Sequence, residues 1–170
     1  MSIDILIKNI SVFFVLLIMQ ILIFNNIGIT SWKIIPAFYI LIILLMPFET
    51  PGWLLLLLSF ILGIIIDIFT DTIGLNSFSC VLIAFLRPLV LGSMAPRGGY
   101  DAGTFPRVFY MGLIWFIRYS LILIIVHQFA YYFLDDFGFR HFGRVLLKVL
   151  IGTFFTALLV IVSQFLVYRK

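Results

Sequence analysis

Two carboxylates stand four residues apart at the end of the chain's most leucine-rich run, in the pattern Gly63-x-x-x-Asp67-x-x-x-Asp71. With that spacing all three residues share one face of a helix. Paired carboxylates on one face can hold a metal, and one of them can act as a base. The remaining reactive types are scattered. His127, His141 and Cys80 lie far apart, with no metal-ligand spacing. Arg87 and Arg118 are cations inside apolar runs. The Gly98-Gly99 pair follows no strand and precedes no phosphate-binding helix, so it is not a nucleotide loop.

The catalytic reading has a specific form. Gly63, Asp67 and Asp71 look like the second half of the CDP-alcohol phosphotransferase signature, in which aspartates hold metal. That signature opens with Asp-Gly-x-x-Ala-Arg about eight residues earlier. Here Trp53 to Leu62 contains no carboxylate and no arginine. Half of the metal ligands are missing, so an enzyme is not expected. In the alternative reading, Asp71 belongs to a solvated turn or caps the next helix. Gly63 lets a neighbouring helix approach closely. Asp67 is then a buried polar contact.

A buried carboxylate calls for a partner, and depth narrows the choice. At about 1.5 Å per residue, Asp67 lies roughly 21 Å along its helix from Trp53, and Arg118 roughly 17 Å from Arg107. Arg87 lies only roughly 11 Å from Met94. These depths predict an Asp67–Arg118 pair, with Arg87 snorkelling to the cytoplasmic face. His127 and His141 are expected near the outer interface, and Cys80 as a small core residue.

The elements that must position these groups are membrane spans. Of 170 residues, 64% are hydrophobic and 11% charged, against about 25% charged in soluble domains. Mean hydropathy is +1.27. The eleven Leu, Ile and Phe residues from Leu54 to Ile66 favour insertion by about 3–7 kcal/mol in sum, and one Asp opposes it by about 2.5–3.5. That helix can therefore carry Asp67 into a bilayer. The net charge of +4 reads as basic cytoplasmic loops, since no Lys/Arg run suggests a nucleic-acid groove. One cysteine excludes a disulfide within the chain. The N-terminal run is too long for a signal peptide and lacks a cleavage site.

The fold expected is an all-α integral membrane protein: one transmembrane domain over residues 1–170, a compact bundle of six helices. The spans are 5–24, 34–47, 53–70, 74–94, 107–133 and 144–168. The second is short and starts near Pro36; without it there are five. Gly63, Gly112 and Gly152 are candidate helix contacts. Six spans put both termini on one side. Lys8, Arg97, Arg107, Arg169 and Lys170 mark that side as cytoplasmic; Lys33, Arg140, Arg144 and Lys148 lie opposite.

In size, span layout and central stretch, the chain resembles the MreD family of the bacterial rod-shape machinery. The residues that carry the likeness are Gly63 and Asp67 after a Leu-rich run, Gly74-Leu75 in a short turn, and Arg87 closing the next apolar helix. Pro36 at the start of the second span is also similar; Asp71 has no counterpart in the family pattern. The resemblance implies a non-enzymatic scaffold without cofactors in the bacterial inner membrane. Its partners would be an MreC-like bitopic protein, with MreB, RodA and a class B penicillin-binding protein, in lateral peptidoglycan synthesis and cell shape. It also implies a fold similar to the substrate-binding (S) components of energy-coupling-factor transporters. The competing function is small-molecule transport of that kind, with Asn76, Ser77, His127 and Gln128 as the polar groups available to a cavity.

Overall fold

The computed structural model describes residues 15–24, 34–101, 103–136 and 142–167. Residues 5–14 of the expected first span (5–24), the termini, and Lys8, Lys33, Arg140 and His141 lie outside the described residues.

Among the described residues the regular elements are all helices, with no strand. In chain order the helices are α1 (residues 15–22), α2 (Ile40–Leu44), α3 (Gly52–Thr70), α4 (Leu75–Ser93), α5 (Val108–Met111), α6 (Leu113–Asp135) and α7 (Phe142–Val167). Four of them, α3, α4, α6 and α7, are long and apolar enough to cross a membrane. The chain is a helical membrane protein. Its α3 shows why: Trp53, Leu57, Phe60, Ile64 and Ile68 point outward, a face that only lipid or another apolar surface can cover.

The run 34–47 does not form a long helix. Residues 34–39 are irregular, and α2 has five residues. At about 1.5 Å per residue that is about 7.5 Å, against about 30 Å of hydrocarbon. Pro36 explains the break, because it lacks an N–H and biases its predecessor to extended backbone. The segment is enclosed rather than exposed: Ile34, Ile40 and Leu44 are fully buried. A segment that is apolar on every side has no solvent face to offer, and the long helices wrap it.

The chain from 107 to 133 is likewise not one helix. It breaks at Gly112, whose φ of +84° and ψ of 160° favour glycine. A Cβ at Gly112 would touch nothing, so it is no helix contact. Gly63 and Gly152 are close contacts. A Cβ on Gly63 would stand 2.3 Å from Ser77 Cα, and one on Gly152 would stand 3.2 Å from Gln128 and Tyr132. Thus α3 lies directly on the first turn of α4, and α7 lies on α6.

The bundle has two ends. At one, α3 turns into α4, and α6 finishes near the start of α7. At the other, the 94–107 loop meets residues 46–51, where Phe48, Tyr100 and Trp115 form an aromatic cluster. Here Tyr100 donates to Leu91 O at 2.8 Å and Trp115 Nε1 to Met94 O at 3.2 Å. Both bonds satisfy carbonyls at the end of α4. Burial pushes the Tyr100 phenol above its ordinary range, which keeps it a neutral donor.

Candidate functional site

Two polar centres are anchored at helix ends, one on Asp67 and one on Arg87. The first is built by Asp67. It lies one turn before the end of α3, on the buried stripe of Leu55, Ser59, Leu62, Gly63 and Ile66. The close approach at Gly63 brings its carboxylate over the start of α4. Asp67 Oδ2 accepts from Ser77 N (2.9 Å) and Ser77 Oγ (2.5 Å). Asp67 Oδ1 accepts from Asn76 N (3.0 Å), Asn76 Nδ2 (3.0 Å) and Thr72 Oγ1 (2.6 Å). Two of these donors are among the first backbone N–H groups of α4, which no intrahelical acceptor can reach. A negative group there also meets the positive end of the helix dipole.

The turn is shaped for this. Asp71 takes the left-handed φ of 53° and Gly74 a φ of 78°. Asp tolerates that region and glycine prefers it. Asp71 is exposed at the turn, and Asp67 caps the helix in its place.

The predicted Asp67–Arg118 pair does not form. Depth fixes position along a helix but not around it. The buried stripe of α6 is Phe116, Tyr119, Ser120, Leu123, Ile124, His127 and Gln128. Arg118 falls on the opposite, exposed side. It stands five residues from the start of α6, about 7.5 Å, within snorkelling reach of the loop end. Arg87 reverses its expected role as well. It lies on the α4 stripe with Cys80, Ile83, Ala84 and Leu91, and is 2% exposed.

Arg87 builds the second centre. Its Nε donates to Tyr119 Oη at 2.8 Å, and its Nη2 donates a short bond to Met46 O. Tyr119 Oη donates onward to Leu44 O at 3.0 Å. Leu44 and Met46 carry carbonyls at and just beyond the end of α2, where a cation is favourable. The other end of the broken span is held by Gln20 and Thr156. Gln20 Oε1 accepts from Phe38 N (2.9 Å) and Tyr39 N (3.3 Å), and Gln20 Nε2 donates to Pro36 O (3.0 Å). Thr156 Oγ1 accepts from Ala37 N at 3.1 Å and from Gln128 Nε2 at 2.9 Å. Irregular backbone survives at membrane depth only when its polar groups are satisfied in this way.

The first centre continues inward. Tyr39 Oη donates to Asn76 Oδ1 at 2.6 Å and lies 3.1 Å from His127 Nε2. His127 is therefore buried in the bundle, 1% exposed, and not at the outer interface. Cys80 is fully buried beside it, its Sγ 4.0 Å from Nε2. Among the described residues no three His, Cys, Asp or Glu side chains converge to hold a metal.

Gln20, Tyr39, Tyr119 and Thr156 were not singled out from the sequence. Their only signal is a polar atom within an apolar run; Gln20, Tyr119 and Thr156 bond backbone groups of the segment whose break Pro36 announces, and Tyr39 links that segment to Asn76 and His127. No protein-family model, curated protein or solved structure matches the chain.

Proposed function

We propose that the chain is a non-enzymatic scaffold subunit of the MreD type, which holds the membrane helix of an MreC-like bitopic protein within a rod-shape complex. One observation carries this reading. The residues behind the resemblance, Gly63, Asp67, Gly74 and Arg87, all do the same kind of work. They pack or cap helix ends and tie the α3–α4 hairpin to the buried span. A unit whose signature residues are spent on rigidity acts through the surface it presents, and that surface is apolar helix.

The proposal includes a six-span layout similar to the S components of energy-coupling-factor transporters, in a bacterial inner membrane with the loop end cytoplasmic. The loop end carries Arg97, Arg107 and Arg118, the hairpin end Arg144 and Lys148. Lys148 is also paired, 3.5 Å from both Asp135 and Asp136. This distribution favours the loop end as the inner one.

The test is a mild-detergent pull-down of a tagged copy from its own cell, with the captured proteins identified. Recovery of an MreC-like protein or of the RodA and class B penicillin-binding protein pair supports the scaffold. Recovery of an energising membrane subunit with ATPases, and no cell-wall protein, overturns it in favour of transport.

A further inference from the structure

The outward face of α3 is not uniform. Between Phe60 and the turn into α4 it borders an open groove of about 550 Å³. Phe60, Ile64 and Ile68 follow one another four residues apart along α3, and Asp71 comes at its end. The groove is apolar along its length and acidic at its head. Phe60, Ile64 and Ile68 are exposed, and Ile73 of the turn is wholly so. Asp67 and Asp71 are the charged residues of the lining, and among the described residues no lysine or arginine joins them. Asp67 already accepts five hydrogen bonds. The charge on offer is therefore that of Asp71, which is exposed and pairs with no described lysine or arginine.

Length identifies the occupant. With 19 residues, α3 is roughly 28 Å long, close to the about 30 Å of bilayer hydrocarbon. Asp71, the next residue, stands at headgroup level. Phe60 lies eleven residues deeper, roughly 16 Å by helix rise and about half of the hydrocarbon thickness. The groove thus reaches from the headgroups through one leaflet and ends near the midplane. A partner helix would run on through the second leaflet, and would call for small residues at the contact. The wall is instead branched and aromatic, and Gly63, the glycine within this stretch of α3, is spent against Ser77. A lipid chain matches both the length and the wall.

We propose that this groove holds a phospholipid with a primary ammonium headgroup, its acyl chain along Phe60, Ile64 and Ile68 and its ammonium on the Asp71 carboxylate. The charge of the groove sets the headgroup. An anionic headgroup would meet two carboxylates and no described cation. A quaternary ammonium carries the charge but has no N–H to give a carboxylate, whereas a primary ammonium supplies both. The site stands apart from the scaffold reading, because the outward faces of α6 and α7, with Ile122, Leu150 and Phe154, remain for a partner.

The experiment offers the full chain in detergent micelles three phospholipids with the same acyl chains: phosphatidylethanolamine, phosphatidylcholine and phosphatidylglycerol. Native mass spectrometry counts the lipid retained. Phosphatidylethanolamine should be retained about two- to fivefold more than either of the others, the range of an exposed ion pair. Asp71→Asn should level the three. Asparagine also accepts the left-handed φ of 53° at this turn, so the variant keeps the fold. A second measurement places the lipid without touching Asp71. Benzoylphenylalanine in place of Ile64, irradiated in the cell's own membrane, should give lipid-sized adducts. Equal retention of the three lipids by the wild-type chain overturns the site, as does a preference that survives Asp71→Asn. A protein-sized adduct at residue 64 also overturns it, and gives the groove to a partner helix or a second copy.

Discussion

Asp67 and Asn76 are joined twice: Asp67 Oδ1 accepts from the backbone nitrogen and from the side-chain Nδ2 of Asn76, each at 3.0 Å. One bond caps α4. The other orients the carboxamide that Tyr39 then reads. A single carboxylate thereby sets both the hairpin and the direction of the internal hydrogen-bond chain.

Asp67→Asn tests that double role. The amide keeps one acceptor but turns an NH2 toward donors, so at least one buried N–H or O–H loses its partner, at about 1–3 kcal/mol. Unfolding in detergent should show a loss of that order. Asp67 and Ser77 changes should be non-additive, since they share two bonds. Asp67→Asn and Arg118→Gln should simply add, with Arg118→Gln alone near neutral. Coupling between 67 and 118 would show that the pair forms after all.

Gly63 should tolerate nothing larger than hydrogen. The obstacle to a Cβ is Ser77 backbone, at 2.3 Å from Cα and 2.7 Å from N, which cannot swing aside as a side chain can. Gly63→Ala should push α4 away and stretch the Asp67 bonds, costing more than Asp67→Asn alone. Gly74→Ala meets no atom but must hold φ near 78°, at about 1–2 kcal/mol. Comparing the two midpoints separates crowding from backbone strain, and a milder effect at Gly63 would contradict the close contact.

The sequence carries length and period well and azimuth poorly. The four long helices begin and end within a few residues of their apolar runs, because hydropathy reads one residue at a time. Pro36 and the brevity of 34–47 mark the second span as the least secure one, but do not show that its backbone is irregular over residues 34–39. Asp67 as a buried contact, Gly63 as a close approach and Asp71 in a solvated turn are readable from residue type. The partner of Asp67 is not, because five donors come from a turn whose geometry rests on Asp71 adopting a left-handed φ. Arg87 and Arg118 exchanged places for a related reason: each stripe is defined by packing against a segment that is neither long nor periodic. Marking buried positions 76, 80, 83 and 84 on α4 would have put Arg87 inside.

Arg87 is predicted to be needed for its geometry as well as its charge. Its planar fork reaches Tyr119 and the Met46 carbonyl together, which a lysine ammonium cannot reproduce. Arg87→Lys should cost about 1.5–3 kcal/mol, the worth of a hydrogen bond to a charged group. Tyr119→Phe should cost about as much, because it leaves both the Arg87 Nε donor and the Leu44 carbonyl without their partner while the Arg87–Met46 bond stays. Equal tolerance of Lys and Arg at 87 would mean that the guanidinium does not hold the end of α2.

The broken span gives the sharpest local prediction. Thr156 Oγ1 is the acceptor for both Ala37 N and Gln128 Nε2. Thr156→Val keeps the shape and removes the acceptor, leaving two buried donors without it, at about 1–3 kcal/mol each. The loss should appear first where the backbone is irregular. Amide exchange at Ala37 should quicken, while exchange in the middle of α3 stays unchanged, since its bonds are internal to the helix. Pro36 has no N–H and cannot report. Phe38 and Tyr39, held by Gln20, should respond less than Ala37. If protection falls uniformly across the bundle, the irregular segment has no separate anchoring and opens only with the whole fold.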